Sequence, residues 1–358
     1  MLVEAVGPAR QRKSASGWRG DGRMAEYGSG VGSGLRLTVL GSLNMDISVT
    51  VPQLPGPGAT VLGSGAAYAP GGKGANQAVA AARLGAAVRM IGCVGDDDFG
   101  GRLRAALRNE GVVDEGVRTV SGSPTGLAMI TVDAAGENMI TVAPGANHEV
   151  GPEEIAVVRA AAADVLVISA EIPVAAIRAA LAESGPKLRV LNLAPAPREA
   201  AELVAAGVDW LVVNESEAGA VLGAEVTSLR GAAAAAAELA AMGARNVVVT
   251  AGAAGAAYHG SGAIGSVPAR EAASAAGGTG VTAVTVPGFK VRAVDSVGAG
   301  DTFVGALAVA LAAGVLPGEA VRAAAAAGAA AATRPGTQSG MPRPADVLAA
   351  TGLTWPVS

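Results

Sequence analysis

Short, almost wholly apolar runs recur along this chain at residues 37–41, 88–94, 165–169, 189–193, 210–213 and 247–250, with alanine-rich stretches between most of them. Runs without a polar face suit strands buried on both sides, and their alternation with helices predicts a mainly parallel sheet with helices against each face. The expected class is α/β, and such sheets bind ligands beyond the carboxyl ends of their strands. Polar residues follow several of the runs: Asn44 and Asp46, Glu171, Asn214 and Glu217, and Thr250.

Residues 47–68 and 126–142 read differently. They alternate polar and apolar residues around Pro and Gly, as antiparallel hairpins do, and predict a small cover sheet with strands within about 44–70 and 120–143. Residues 261–285, rich in Ala, Gly, Ser and Thr and without periodicity, predict an extended surface loop between two strands. Residues 1–34 carry Arg10, Arg12, Lys13, Arg19 and Arg23 among Ser and Gly without a continuous apolar segment. They read as a disordered tail ahead of one domain over residues 35–358. Met24 is an alternative start, and an organelle transit segment is a weaker reading of the tail.

Lys plus Arg number 26 against 30 Asp plus Glu, with no basic block, which argues against a nucleic-acid or anionic-membrane partner and for a small molecule. The longest uncharged run, 302–318, falls short of the roughly 20 residues needed to cross a bilayer. The single cysteine, Cys93, excludes an internal disulfide, and without a C-x-x-C pair a structural zinc site is not expected; a reducing, cytoplasmic setting is. The two histidines, His148 and His259, lie far apart in sequence and read as ordinary polar residues.

The patterns that carry chemistry are glycine-rich. Asp295-Ser-Val-Gly-Ala-Gly-Asp301 runs into the apolar segment 302–315, which reads as a buried helix with the turn as its N-terminus. The amides of Gly298, Ala299, Gly300 and Asp301 would then face outward, where free N–H groups and about half a positive charge attract an anion such as phosphate. Asp301 has two readings at this point, a base that accepts a proton from an attacking hydroxyl or a helix cap. Gly71-Gly-Lys-Gly-Ala-Asn76 precedes the helical pattern 77–84 and offers close backbone approach, one ammonium and one amide. It is not a Walker A motif, because glycine follows Lys73 where Ser or Thr is required; a tight turn with a solvated lysine is the alternative.

Asn44 and Asp46, two apart in an extended segment, share a face and could grip vicinal hydroxyls, although an Asx turn uses the same residues. Glu217 stands one turn after Asn214, so both could face a hydrated magnesium ion held with substrate phosphates. Thr250-Ala-Gly-Ala-Ala-Gly255 follows another strand and could receive nucleotide phosphate and ribose through its amides.

Together these boxes resemble, in order and spacing, the ribokinase branch of the PfkB carbohydrate kinase family over residues 37–347. The resemblance implies a ribokinase-like three-layer α/β/α sandwich with a mainly parallel central sheet and a small β-sheet lid. It implies phosphoryl transfer from ATP to the 5-hydroxyl of D-ribose, with Asp301 as catalytic base and the amides from Gly298, Ala299, Gly300 and Asp301 as an anion hole. Asn44, Asp46, Gly72, Lys73, Gly74, Ala75, Asn76 and Glu171 would hold the sugar. Asn214, Thr250, Ala251, Gly252, Ala253, Ala254 and Gly255 would face ATP, with Gly300 and Asp301 beside its phosphates, and Glu217 would position magnesium through water.

The resemblance further implies activation by a monovalent cation, usually potassium, for which Asp295, Val297, Ala331, Arg334, Gly336 and Gly340 occupy the matching positions, mostly through backbone carbonyls. Two departures stand out. Gly340, with Ser339 beside it, takes a place where Ser is common, and Ala325 takes a nucleotide-side place often held by His or Asn. A homodimer paired through the lid sheets is also implied. Ribose, rather than deoxyribose or fructose, rests on overall similarity, and a sugar sensor without turnover would have no need of Asp301.

Overall fold

A computed structural model describes residues 34–261 and 281–357. The tail expected at 1–34 therefore lies, but for its last residue, outside the described residues, as does most of the loop expected at 261–285. The described chain opens with β1 (Arg36–Leu40), β2 (Asn44–Thr50) and β3 (Ala67–Gly71), then α1 (Lys73–Arg83), β4 (Ala87–Gly95), α2 (Asp98–Asn109) and β5 (Val113–Val120). A hairpin of β6 (Gly126–Val132) and β7 (Asn138–Ala143) follows. Helices and strands then alternate as α3 (Pro152–Ala160), β8 (Val165–Ser169), α4 (Val174–Ala182), β9 (Leu188–Asn192), α5 (Ala200–Ala205), β10 (Trp210–Asn214), α6 (Glu215–Leu222), α7 (Leu229–Met242) and β11 (Asn246–Thr250). The chain closes with β12 (Gly255–Ser261), β13 (Val281–Pro287) and the helices α8 (Ala299–Ala312), α9 (Pro317–Ala331), α10 (Thr337–Gly340) and α11 (Pro344–Thr351).

Every apolar run named above forms a strand of a nine-stranded sheet ordered β13-β12-β11-β10-β9-β8-β1-β4-β5. Strands from β11 to β5 in that order are parallel, and β12 and β13 add antiparallel pairs at one edge. Each sheet face has its own apolar core. Leu37, Val39, Val88, Met90, Val165 and Val167 pack with α1, α8 and α9 residues, whereas Leu40, Ile91, Leu166, Ile168 and Leu191 pack with α4 and α7 residues. This is the expected three-layer sandwich, and it explains why the strands lack a polar face.

The chain leaves β1 toward β4 and β5 on one side and returns through β8 to β11 on the other, so the direction of winding reverses between β1 and β8. A crevice at such a reversal is where open α/β sheets bind ligands. Asn44 and Glu171, just past β1 and β8, flank it. The second sheet, ordered β3-β2-β6-β7, is mixed rather than wholly antiparallel, because β2 and β6 run parallel over Asn44–Thr50 and Gly126–Val132. Residues 281–285, expected as the end of a loop, instead belong to β13, whose β-branched Val-Thr-Ala-Val-Thr-Val sequence pairs with β12.

Two helices begin earlier than their apolar patterns. α8 starts at Ala299, with Gly298 as N-cap in the left-handed region (φ 78°), and α1 starts at Lys73, with Gly72 as N-cap (φ 88°). Both glycines are required by those angles. α8 is buried from Asp301 to Leu311 and crosses α1 closely, since a Cβ added to Gly305 would lie 2.7 Å from the Gln77 carbonyl oxygen and 2.9 Å from the Ala80 side chain.

That contact predicts opposite outcomes for two helical glycines. Gly305→Val is expected to destabilise the protein by about 1–3 kcal/mol through overpacking. Gly101→Ala, exposed on α2 with nothing within 4 Å of the added methyl, is expected to gain about 0.5–1 kcal/mol by restricting the unfolded chain. Thermal unfolding of both variants checks this, and a Gly305→Val protein as stable as the parent would contradict the close crossing.

Candidate active site

The start of α8 presents its backbone to open space. Ala299 N–H donates to the Ser296 carbonyl, but the amides of Gly300 and Asp301 meet no acceptor among the described residues, and nothing lies within 4 Å of a Cβ added to Gly300. Two free donors at the positive end of a buried helix form an anion site. Asp301 is the third residue of this helix and does not cap it. Its carboxylate, 8% exposed, accepts from Asn76 Nδ2 at 2.9 Å on one oxygen and from Gln77 Nε2 at 3.0 Å on the other.

The start of α1 is the opposite case. Lys73 N–H donates to Glu171 (3.2 Å), Gly74 N–H to Ser42 Oγ (3.4 Å), Ala75 N–H to the Ser42 carbonyl (3.0 Å) and Asn76 N–H to the Gly72 carbonyl (2.9 Å). Ser42 Oγ in turn donates to Glu171 at 2.5 Å. Of the close backbone approach, one ammonium and one amide expected of this segment, the main-chain N–H groups are thus already taken, because the segment lies directly on residues 41–44. A Cβ at Gly72 would sit 2.6 Å from Asn44 N and one at Gly74 2.7 Å from Ser42 N. Lys73 remains as the group that reaches the cavity, and Asn76 is buried with its amide shared between Asp301 and Gln338.

The cover sheet carries Asn44 and Asp46 on one face of β2, and glycines across from Asn44 make room for them. A Cβ at Gly71 would meet the Asp46 carboxylate at 2.3 Å, and one at Gly126 would meet Asn44 Oδ1 at 2.3 Å. Asn147, buried, accepts from Leu43 N–H (2.9 Å) and donates to Asn44 Oδ1 (2.7 Å). A backbone N–H can only donate, so it fixes the Asn147 amide and leaves Asn44 offering its own NH2 group to a ligand.

A cavity of about 130 Å³ joins Lys73, Asn214, Glu217, Thr250, Gly298, Gly300 and Asp301, with Asn192, Ala194 and Val304. Asn214 and Thr250 are register partners on β10 and β11, so their loops leave the sheet side by side, and Gly252, Ala253 and Ala254 are exposed just beyond. Asn214 and Glu217 form a reciprocal cap, each side chain accepting from the other's backbone N–H at 2.8 Å. Ala325, half-buried on α9, lies one turn before Gly328, whose added Cβ would be 3.1 Å from the Ala299 carbonyl.

Charge in this region is uneven. The Asp301 carboxylate, more than any other cause, raises the pKa of Lys73 against its burial, with Glu171, Glu217 and Asp46 adding to it. Burial pushes Asp46 up to about 7, helped by Glu171 and Asp301 and opposed by Lys73. Burial likewise raises Glu217 above its ordinary value, with the Asn214 amide and Lys73 opposing. Four carboxylates around one ammonium favour a ligand that brings hydroxyl donors.

The residues matched to a monovalent cation also converge. Asp295 accepts from Val297 N–H (2.9 Å) and Gly336 N–H (2.8 Å), Gly340 N–H donates to the Gly336 carbonyl, and a Cβ at Gly340 would lie 3.2 Å from the Arg334 carbonyl and 3.5 Å from that of Ala331. The Arg334 guanidinium is paired with Asp346, so its carbonyl is what faces this corner. A larger open groove of about 990 Å³ runs along α2 past Phe99 and Arg102, but its Asp97 carboxylate is taken up by Gly100 and Thr125.

Sequence reading missed Ser42, Gln77, Asn147, Asn192 and Gln338. Asn192 carries the same signal as Asn44, Asn214 and Thr250, a polar residue ending an apolar strand. Gln77, a polar residue in an alanine-rich helix, carries a fainter one, and the other three have none that is local.

A family model described as pfkB family carbohydrate kinase matches residues 35–344. The ribokinase of Haemophilus influenzae is 36% identical over 316 residues, covering 87% of this chain and 97% of that protein. Among solved structures, the ribokinase of Thermotoga maritima superposes with a TM-score of 0.74 at 33% identity, over 88% of this chain and 98% of that one. The Arabidopsis thaliana ribokinase complexed with ribose and ATP gives 0.72 at 29% identity, with the same coverage. The free amides of α8, the carboxylate beside them and the paired polar residues of the cover sheet thus sit in a chain that belongs to the pfkB family of carbohydrate kinases.

Proposed function

We propose that this chain catalyses transfer of the γ-phosphoryl group of ATP to O5 of D-ribose, giving ADP and D-ribose 5-phosphate. The observation that carries this is the buried Asp301 carboxylate beside the unpaired amides of Gly300 and Asp301, in one cavity with Lys73. The sugar's 5-hydroxyl attacks the γ-phosphorus, its O–P bond forms as the bond to the β-phosphate oxygen breaks, and the proton passes to Asp301 late in the step. Asp301 orients the hydroxyl rather than deprotonating it in advance. The α8 amides and Lys73 hold the negative charge of the transferring group. Asn44 and Asp46 take hydroxyls from the cover side, and Glu171 keeps the α1 loop in place.

Magnesium would arrive with ATP. It would be held chiefly by the phosphates, with Glu217 reaching it through water. It supplies neutralisation of phosphate charge. For a monovalent cation, the Asp295 carboxylate and the carbonyls of Val297, Ala331, Arg334, Gly336 and Gly340 form an oxygen-only donor set suited to potassium. Gly340 leaves its corner to backbone oxygen alone, where a serine would add a hydroxyl. A homodimer through the cover sheets is supported by Tyr68, Met129, Met139, Ile140 and Val142, each about half exposed on that sheet.

Two measurements test this reading. ADP release assayed with ribose, deoxyribose and fructose, with and without potassium, is expected to favour ribose and to rise with potassium; preference for fructose, or sugar binding without ADP release, would overturn it. Sugar affinity is also expected to depend on Asp46, because hydroxyl donors select its ionised form. Ribose should bind more tightly as pH rises from 6 to 8, with proton release below about 7, and Asp46→Asn should weaken binding and remove the trend. Since the folded-state value lies above the ordinary 3.8, this group's contribution to stability without sugar is complete below about pH 4 and lost as pH rises through about 7. Titration calorimetry giving a flat pH profile for the parent would contradict the role of Asp46.

A further inference from the structure

We propose that Gln77 is a positioning residue for Asp301, held in its own orientation by Asn192, and that it sets the rate of phosphoryl transfer without contacting the sugar. The proposal rests on the assignment of Asp301 as the base. Gln77 is fully buried on α1 and is absent from the cavity lining, yet its Nε2 donates both to Asp301 Oδ1 (3.0 Å) and to Asn192 Oδ1 (2.9 Å). Asn192 Nδ2 donates onward to the Val212 carbonyl at 3.2 Å.

The direction of this chain follows from its ends. A backbone carbonyl can only accept, so Val212 obliges Asn192 to turn its NH2 group toward β10 and its oxygen toward Gln77. Gln77 must then turn its NH2 group to Asn192, and the second hydrogen of that group meets Asp301. Gln77 Oε1 is left buried without a partner among the described residues. Leaving a buried acceptor unpaired costs free energy, so the orientation is imposed by the two acceptors in front of it rather than chosen by the amide.

The separation of Gln77 from Asp301 is also fixed by packing. Gly305 lies one turn after Asp301 on the same face of α8, and its missing Cβ would be 2.7 Å from the Gln77 carbonyl oxygen. The nearest side chain there is the Ala80 methyl, at 2.9 Å. The other carboxylate oxygen is held by Asn76, whose Oδ1 accepts from Gln338 Nε2 at 3.0 Å. Asn76, buried in the first turn of α1, is shared between Asp301 and Gln338, and Gln77 between Asp301 and Asn192, so both carboxylate oxygens are held from α1. With its amide fixed by Asn192, Gln77 keeps hold of Asp301 when substrate binds and prevents the carboxylate from turning its lone pairs away from the hydroxyl.

The test uses Gln77→Met, which keeps length and volume, Gln77→Glu, which sets a second carboxylate against Asp301, and Asn192→Leu. With ribose and ATP, kcat is expected to fall by ~10- to 100-fold in both Gln77 variants while KM for ribose stays within ~3-fold, as a misplaced reacting group loses rate rather than binding. Asn192→Leu should lower kcat less, and should add little in the Gln77→Met background, because it acts through the same amide. Unchanged kcat, or a raised ribose KM with kcat intact, would overturn the proposal while leaving the function standing. Absence of ribose turnover in the parent protein refutes the functional reading instead. A thermal-unfolding cycle of Gln77→Met with Asp301→Asn then decides the positioning claim: losses that simply add overturn it, and losses smaller than the sum support it.

Discussion

The structure depends on the close crossing of α1 and α8. Gly305 brings α8 against the backbone of Gln77, and Gly328 brings α9 against the carbonyl of Ala299, so the first turn of α8 is clamped between small residues. That clamp allows a carboxylate to be buried beside free amides. Asp301 is held by Asn76 and Gln77 from α1, and the amides of Gly300 and Asp301 stay open because Gly298 turns the chain sharply into the helix. Arg83, at the far end of α1, donates to the carbonyls of Gln338 and Met341 and so ties α10 to the same helix.

The two helix starts divide the work by what they leave unsatisfied. At α1 every early amide has a protein acceptor, which makes the glycine-rich segment a fixed platform for Lys73 and Asn76. At α8 the second and third amides have none among the described residues, which leaves them open to an anion. The carboxylates Asp46, Glu171, Glu217 and Asp301 all act on Lys73.

The apolar strands were legible because burial on both faces removes any polar period, and β8 and β11 follow the apolar runs almost residue for residue. The start of α8 is legible as a helix N-terminus from the glycine-rich turn, although its apolar pattern begins only at Thr302, since a first turn that faces open space has no core to pack against. The cap reading of Asp301 could not be settled from sequence, because its real partners, Asn76 and Gln77, lie more than two hundred residues earlier. Long separation likewise hid Gln338, 262 residues from Asn76, and Asn147, 103 residues from Asn44. Glu217 and Asn214 were read as one pair, and they are one, but as a capping box as well as part of the cavity wall. Asn192 was within reach of the rule that found Asn44 and Thr250.

The central claim is that Asp301 takes the hydroxyl proton and does not merely shape the site. The most direct measurement is turnover of Asp301→Asn alongside calorimetric binding of ribose to the same variant. The account predicts that binding persists and that kcat falls by at least ~10²- to 10⁴-fold, the usual effect of losing a general base. Near-normal turnover in that variant would contradict it.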